Sequence, residues 1–331
     1  MDVNTFVKSY IENKADYILT EEDKKTTEFE GLNTFIYKKL NSSKYRASAT
    51  AEDYVQKIKD KIDLCLNHEI PIHISLPFGA TKNPHLPTAP AIDWAEVFNL
   101  GYIREYLKPI AAAYKHGVIL EYVSVAVFEE KTNRIPIRDT DIYEKQFRAL
   151  SDFYRSYLPG NFELRLSRVE DTISRDRINT LMDKKMNELR RKWNKQTPDE
   201  INQKIFRAKR NCIYDPADPN ASEILTESAL GHDSFCSECW TTELAPWDKK
   251  YMITLGHTYT AGWAIHVRSA PGSTINFWSG IGVLSTRGEE YVPTVLSLNQ
   301  YGNYKKEITN VKVDIFDGEF TNLQEVPVLK S

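Results

Sequence analysis

No stretch of this 331-residue sequence approaches the ~18–20 consecutive apolar residues of a membrane-spanning helix, so no membrane association is expected. The N-terminus, Met1-Asp2-Val3-Asn4, has neither a basic region nor an apolar stretch, and no secretory signal is expected. Cysteine is scarce. Four in so long a chain make no disulfide framework and suit reduced thiols, which points to the cytoplasm. An excess of one charge is also lacking: a net charge of −3 supplies no global field to gather nucleic acid or anionic lipid. No GxGxxG, Walker loop, HExxH or GxSxG occurs, which argues against dinucleotide, nucleotide-hydrolysing, zincin and α/β-hydrolase chemistry. There is no internal repeat and no low-complexity segment.

What is present is material for a sizeable core, 41% apolar residues with 11% aromatics. Ile72 to Leu76 is a short run of β-formers that ends in a Pro/Gly-punctuated loop carrying Lys82. Asp93 and Glu96 then make a capping signature for a helix with Val97, Phe98, Ile103, Leu107, Ile110 and Tyr114 at helical spacing, stopped at His116-Gly117. Val118 to Phe128 is nearly continuous β-branched and aromatic sequence, as in a central strand covered on both faces. The order β(72–76)–α(94–115)–β(118–128) predicts a right-handed crossover. A helix over Tyr143–Tyr157 and a strand over Leu164–Val169 follow. The expected fold is an α/β, modified Rossmann-like open sheet with a mixed or antiparallel C-terminal part. Residues 1–170 form the Rossmann-like portion with a helical lead-in, and 171–215 a basic helical segment. Residues 216–331 form a mixed-sheet part completing the same unit, with strands at Met252–Leu255, Ala264–Arg268, Ile275–Trp278, Val283–Leu284 and Val311–Ile315.

Several constellations could carry chemistry. Lys82, at the carboxyl end of a strand and before a helix, is placed to contact an anion or carbonyl, with His73, Asn83 and His85 as polar neighbours. The alternative is an exposed loop lysine. Glu121 and Ser124 interrupt the 118–128 strand, and a carboxylate there is costly unless paired or protonated. It is a general acid/base, or half of a structural ion pair with an arginine such as Arg104 or Arg148, or a residue at an edge-facing position. His232-Asp233 suits proton transfer. His232, Cys236 and Cys239, with Cys212 as a fourth ligand, offer the alternative of a zinc knuckle in a binding protein. Residues 175–210 carry 12 Lys/Arg against 5 Asp/Glu, net +7, leaving −10 for the remainder. They make a solvated face, or an anion-binding wall in which Arg207, Lys209 and Arg210 hold a phosphate, or an RNA-facing surface, which no aromatic interleaving supports. Thr241-Thr242 and the strand Asn276 to Gly282 suggest hydroxyl and backbone contacts lining a pocket.

The order of these elements has a counterpart. Leu76-Pro77-Phe78-Gly79-Ala80-Thr81-Lys82-Asn83-Pro84 resembles the Phe-Pro-x-Lys-Ser-x-Asn loop of the isocyanide synthases, the pyoverdine/dityrosine biosynthesis family. Asp93-Trp94-Ala95-Glu96 matches that family's Asp-x-x-Glu helix start. Tyr114-Lys115-His116-Gly117 and the strand to Val127-Phe128 are similar to its Tyr-x-Pro-Gly turn and Val-Phe strand end, and Asp139 to Leu150 continues the match. The resemblance spans 70–158. It departs where the family's Ser-Asp-Gly is Ser124-Val125-Ala126, losing an acid and a glycine. It implies a modified Rossmann-like fold and an enzyme that joins an amino acid's amine to the ketone of a pentulose phosphate and ends in an isonitrile, with no metal or nucleotide cofactor. Lys82 and Glu96 are the residues carried over by motif position. Arg210 as phosphate anchor, and His232/Asp233 or Glu121 for proton transfer, are read from the residues themselves. The partners expected are small molecules, an amino acid and a sugar phosphate.

Overall fold

The computed structural model describes residues 2–13, 16–239, 251–256, 264–273, 275–316 and 318–330, with backbone alone at 238 and 239. The helices are α1 (Val3–Glu12), α2 (Glu21–Lys25), α3 (Leu32–Leu40), α4 (Glu52–Asn67), α5 (Trp94–Ala113), α6 (Glu129–Asn133), α7 (Ile137–Arg155), α8 (Arg175–Trp193), α9 (Pro198–Asn211), α10 (Ala221–Cys239) and α11 (Leu298–Tyr304). The strands β1 (Ile72–Phe78), β2 (Val118–Ser124), β3 (Phe162–Arg168), β4 (Met252–Gly256) and β5 (Ile265–His266) pair in parallel in the order β3-β2-β1-β4-β5. This is the expected Rossmann-like open sheet. Strand order reverses between β1 and β4, so the crevice at their carboxyl ends is where such a sheet binds ligands.

The expected β1–α5–β2 unit is present, and its helix is unusual. The Asp93/Glu96 capping box starts α5, and 17 of its 20 residues are buried. A helix buried all round must have neighbours on every side. One side packs on the parallel sheet and another on the N-terminal helices. Buried Arg104 donates to the Ile11 and Tyr10 carbonyls at 2.6 and 2.8 Å, satisfying the end of α1. The third side meets a second sheet, β6 (Ile281–Arg287), β7 (Glu290–Leu296), β8 (Ile308–Lys312) and β9 (Glu325–Leu329), in the order β7-β6-β9-β8. Its β6–β9 pair is parallel and the other two pairs antiparallel, the mixed C-terminal sheet that was expected. Gly282 allows the contact with α5: a Cβ there would fall 2.1 Å from Ala95 N and 2.2 Å from Trp94 C. Trp94 Nε1 donates to the Glu325 carbonyl at 2.7 Å across the same seam.

Three segments differ from the sequence expectation. β2 stops at Ser124, and Ala126–Phe128 is a 3-10 turn. Its partner β1 ends at Phe78, opposite Ser124, so residues beyond it have no ladder to join. Met252–Gly256 and Ile265–His266 belong to the first sheet, and among the described residues the second takes its strands from Ile281 onward. Ile275–Trp278, expected as strand, leads into a 3-10 turn at Phe277–Ser279 that folds over the end of β1. The basic segment forms α8 and α9, broken by the Thr197/Glu200 capping box with Pro198 at its start. Among the described residues no helix is long and apolar enough to cross a membrane.

Candidate functional site

The loop after β1 begins with a close approach. A Cβ on Gly79 would come 2.8 Å from Trp278 Nε1 and 3.4 Å from Glu129 Oε1, so the 277–279 turn and the start of α6 both crowd the strand end. The backbone reverses at Ala80, φ +49°. Lys82 then turns into the protein instead of toward a ligand. Its Nζ lies 2.9 and 3.0 Å from Glu96 Oε1 and Oε2, 3.0 Å from Asp93 Oδ2 and 3.3 Å from the Phe277 carbonyl, fully buried. Tyr143 OH donates to Glu96 Oε1 at 2.9 Å, and Thr88 Oγ1 to Asp93 Oδ2 at 2.8 Å. Burial pushes the Glu96 carboxyl up to about 7, Lys82 opposing and Asp93 adding to the rise. The expected ligand contact is therefore an internal ion cluster. The physical reason is that both acids of the capping box lie within the lysine's reach, and burying them without a cation would be costly. What Lys82 does is hold the loop.

The loop in turn holds the rim of a cavity. Asn83 Nδ2 donates to the Arg210 carbonyl at 3.0 Å and to Asn211 Oδ1 at 3.2 Å, and Asn83 N to the Trp278 carbonyl at 3.0 Å. His85 Nε2 lies 3.1 Å from the Cys212 carbonyl. Inside is a cavity of about 200 Å³ at the carboxyl ends of β1, β2 and β4, walled by Phe78, Phe128, Phe235 and Trp278. This is the switch-point crevice.

Two titratable groups stand out in it. Glu129, at the start of α6, accepts from Asn133 Nδ2 at 2.6 Å, and burial pushes its carboxyl up to about 7 against that bond. His232 on α10 is pushed down to about 4 by burial, with the Arg207 charge adding to the effect. Its Nδ1 is 3.5 Å from Cys236 Sγ. At neutral pH the imidazole is uncharged while the carboxyl is near mid-titration, the state suited to giving and taking protons. The cavity opens into a vestibule of about 730 Å³, lined in part by Arg207, Lys209 and Arg210, with His232 at the junction.

The other sequence candidates fall elsewhere. Asp233 pairs with Arg207 at 2.6 Å and Lys204 at 2.5 Å, so it is engaged with two cations. Glu121 accepts from Ser167 Oγ at 2.6 Å and sits 2.6 Å from His73 Nε2; the His73 bond, chiefly, lowers its carboxyl. Its partners are His73 and Ser167, not the Arg104 or Arg148 expected for a structural pair, and neither His73 nor Glu121 lines the cavity. Ser124 is buried against Glu144, which pairs with Arg168. Thr241 and Thr242 lie outside the described residues. For zinc, Cys212 is a buried thiol 3.6 Å from the Ile213 carbonyl, and the Cys239 side chain is outside the described residues. Among the described residues no three His, Cys, Asp or Glu side chains gather around a metal-sized space. Sequence reasoning overlooked Glu129, because carrying the strand through Phe128 leaves the next residue in a surface loop. The signal was an acid directly after an apolar run.

No known family profile matches the chain, and no curated protein matches it in sequence. Among solved structures, the PvcA protein from Pseudomonas aeruginosa superposes with a TM-score of 0.67 at 14% identity, covering 90% of this chain and 99% of that one. The fold is shared over nearly the full length of both. Tyrosyl-tRNA synthetase from Aeropyrum pernix overlays with a TM-score of 0.34 at 12% identity, over 79% of this chain and 68% of that one, too loosely to bear on the fold.

Proposed function

We propose that this chain is a biosynthetic enzyme that condenses the amine of an amino acid with the carbonyl of a phosphorylated keto-sugar or similar compound, in the manner of the isocyanide synthases. The observation that carries this reading is Glu129: a carboxyl held near pH 7 in a switch-point cavity that opens onto three cations. The fold shared with the PvcA protein, together with the motif resemblance to the isocyanide synthases over 70–158, supports the same class.

The chemistry follows from the residues. An ammonium is not a nucleophile, so a base must first take its proton, and the Glu129 carboxylate is the base in the cavity. The freed amine adds to the carbonyl carbon. The carbonyl oxygen takes a proton from the adding nitrogen to become a hydroxyl, which leaves as water when Glu129 returns its proton, giving a protonated imine with no net oxidation. Neutral His232 at the junction can hydrogen-bond that oxygen in either role. Arg207, Lys209 and Arg210 hold the phosphate in the vestibule, where arginine geometry favours bidentate contact. The aromatic walls exclude water, which protects the imine from hydrolysis. Val125 stands where the family's motif has its acid, and it lines the same cavity as Glu129. In this reading the acid has moved along the chain, from the strand end to the helix that follows.

The test is to incubate the protein with a panel of amino acids and a pentulose phosphate and follow both by mass spectrometry. Joint consumption of one amino acid and the sugar phosphate, with loss of one water in the trapped adduct, is expected. No consumption across the panel overturns the reading.

A further inference from the structure

The two connected compartments are sorted by charge. Arg207, Lys209 and Arg210 all line the vestibule, whereas among the described residues no lysine or arginine lines the inner cavity. The inner cavity presents acceptors. Asn133 Nδ2 occupies Glu129 Oε2, and no described residue donates to Oε1, which is gathered with Trp278 over Gly79. Asn276, two residues before Trp278, lies where the compartments meet, and its side-chain oxygen is buried with no donor among the described residues. A buried acceptor left without a donor is unfavourable, and a ligand N–H would relieve it. Asn276 Oδ1 and the Glu129 carboxylate, lining one aromatic-walled cavity, match a primary ammonium on an apolar body.

We propose that the inner cavity is an ammonium-recognition site formed by Glu129 Oε1 and Asn276 Oδ1, and that Asn276 selects a primary amine over an isosteric amide. This rests on the amine-condensing reading above and adds which residues bind the amine, and in which compartment. It fixes the substrate's polarity, cationic end inward and anionic end toward the vestibule.

Binding is coupled to protons. An ammonium pairs with the ionised carboxyl, so it expels the proton that Glu129 holds below pH about 7. Of the groups around Glu129, His232 and Cys236 on α10 share the cavity. On its own helix Lys131 pairs with Asp183 and Glu130 faces a separate groove. In the loop Lys82 is committed to Asp93 and Glu96, and the 277–279 turn carries no titratable group.

The experiment is calorimetric titration with 2-phenylethylamine in buffers of different ionisation enthalpy. About one proton should be released per amine at pH 6 and almost none at pH 8.5, given a carboxyl near 7, and the release should vanish in Glu129→Gln. Asn276→Leu should weaken binding about tenfold or more, Asn276→Asp should retain it, and N-acetyl-2-phenylethylamine should bind at least tenfold more weakly to the wild type. Unfolding curves confirm that each variant is folded. Failure to bind the amine at millimolar concentration, equal binding of the acetylated probe, or indifference to folded Asn276→Leu overturns the proposal. Because binding is read without turnover, a chain that binds the amine as described but condenses it with no carbonyl overturns the function alone.

Discussion

Removing Lys82 should cost stability before it costs chemistry. Lys82→Met leaves the buried carboxyls of Asp93 and Glu96 facing each other with no cation, where the wild type has three N···O contacts of 2.9 to 3.0 Å. Deleting one partner of a buried pair costs about 3–5 kcal/mol, because the charge left behind stays desolvated. Domains are stable by only about 5–15 kcal/mol, so the variant should be close to unfolding at neutral pH. Adding Glu96→Gln removes one of the stranded charges and should recover part of the loss. The pH dependence has a definite sign. Glu96 is raised from 4.5 to about 7 in the folded state, so the stability it contributes is complete below the unfolded value and is lost as pH rises through about 7. Without Lys82 the main influence lowering that carboxyl is gone, so the deficit of Lys82→Met should shrink as pH falls from 8 to 5. Urea unfolding followed by fluorescence and circular dichroism measures all three proteins across that range. A Lys82→Met protein within about 1 kcal/mol of wild type, or a double variant no better than the single one, would refute the ion-cluster argument.

Glu129→Gln should lower turnover by about 10²–10⁴-fold while leaving the unfolding midpoint near wild type, and the rise of kcat/KM as pH increases through about 7 should disappear with it. Adding Val125→Asp to that variant should restore part of the rate; assays of the two variants side by side decide whether the acid has moved. Arg210→Ala should raise KM for the phosphorylated partner about 10–100-fold and leave that for the amino acid unchanged, as initial-rate kinetics with each substrate varied would show. Gly282→Ala drives a methyl into the first turn of α5, 2.1 Å from Ala95 N, and should destabilise by about 1–3 kcal/mol or more in the same urea assay.

Local pattern was enough to place the scaffold. Apolar runs bounded by Pro and Gly marked β1, β2 and β3, and the Asp93/Glu96 capping signature started α5 where the helix begins. These features depend on neighbours in sequence, through strand patterning and side chain-to-backbone bonds within one turn. The strand–loop–helix order also pointed to the sheet edge where the cavity lies, since the Lys82 loop borders it. Which way each polar side chain turned depended on partners far away in the chain. Glu96, 14 residues on, and the carbonyl of Phe277, 195 residues on, drew Lys82 inward. Glu121 was used up by His73 and Ser167 on the flanking strands. Glu129 and Asn276 became site residues only because α6 and the 277–279 turn meet over Gly79. Sequence alone marked β1, the start of α5 and the sheet edge that carries the cavity. Tertiary structure decided which charged groups neutralise one another and which are left facing the cavity, because burial and long-range pairing set the free energy of a charge and neither can be read from its neighbours along the chain.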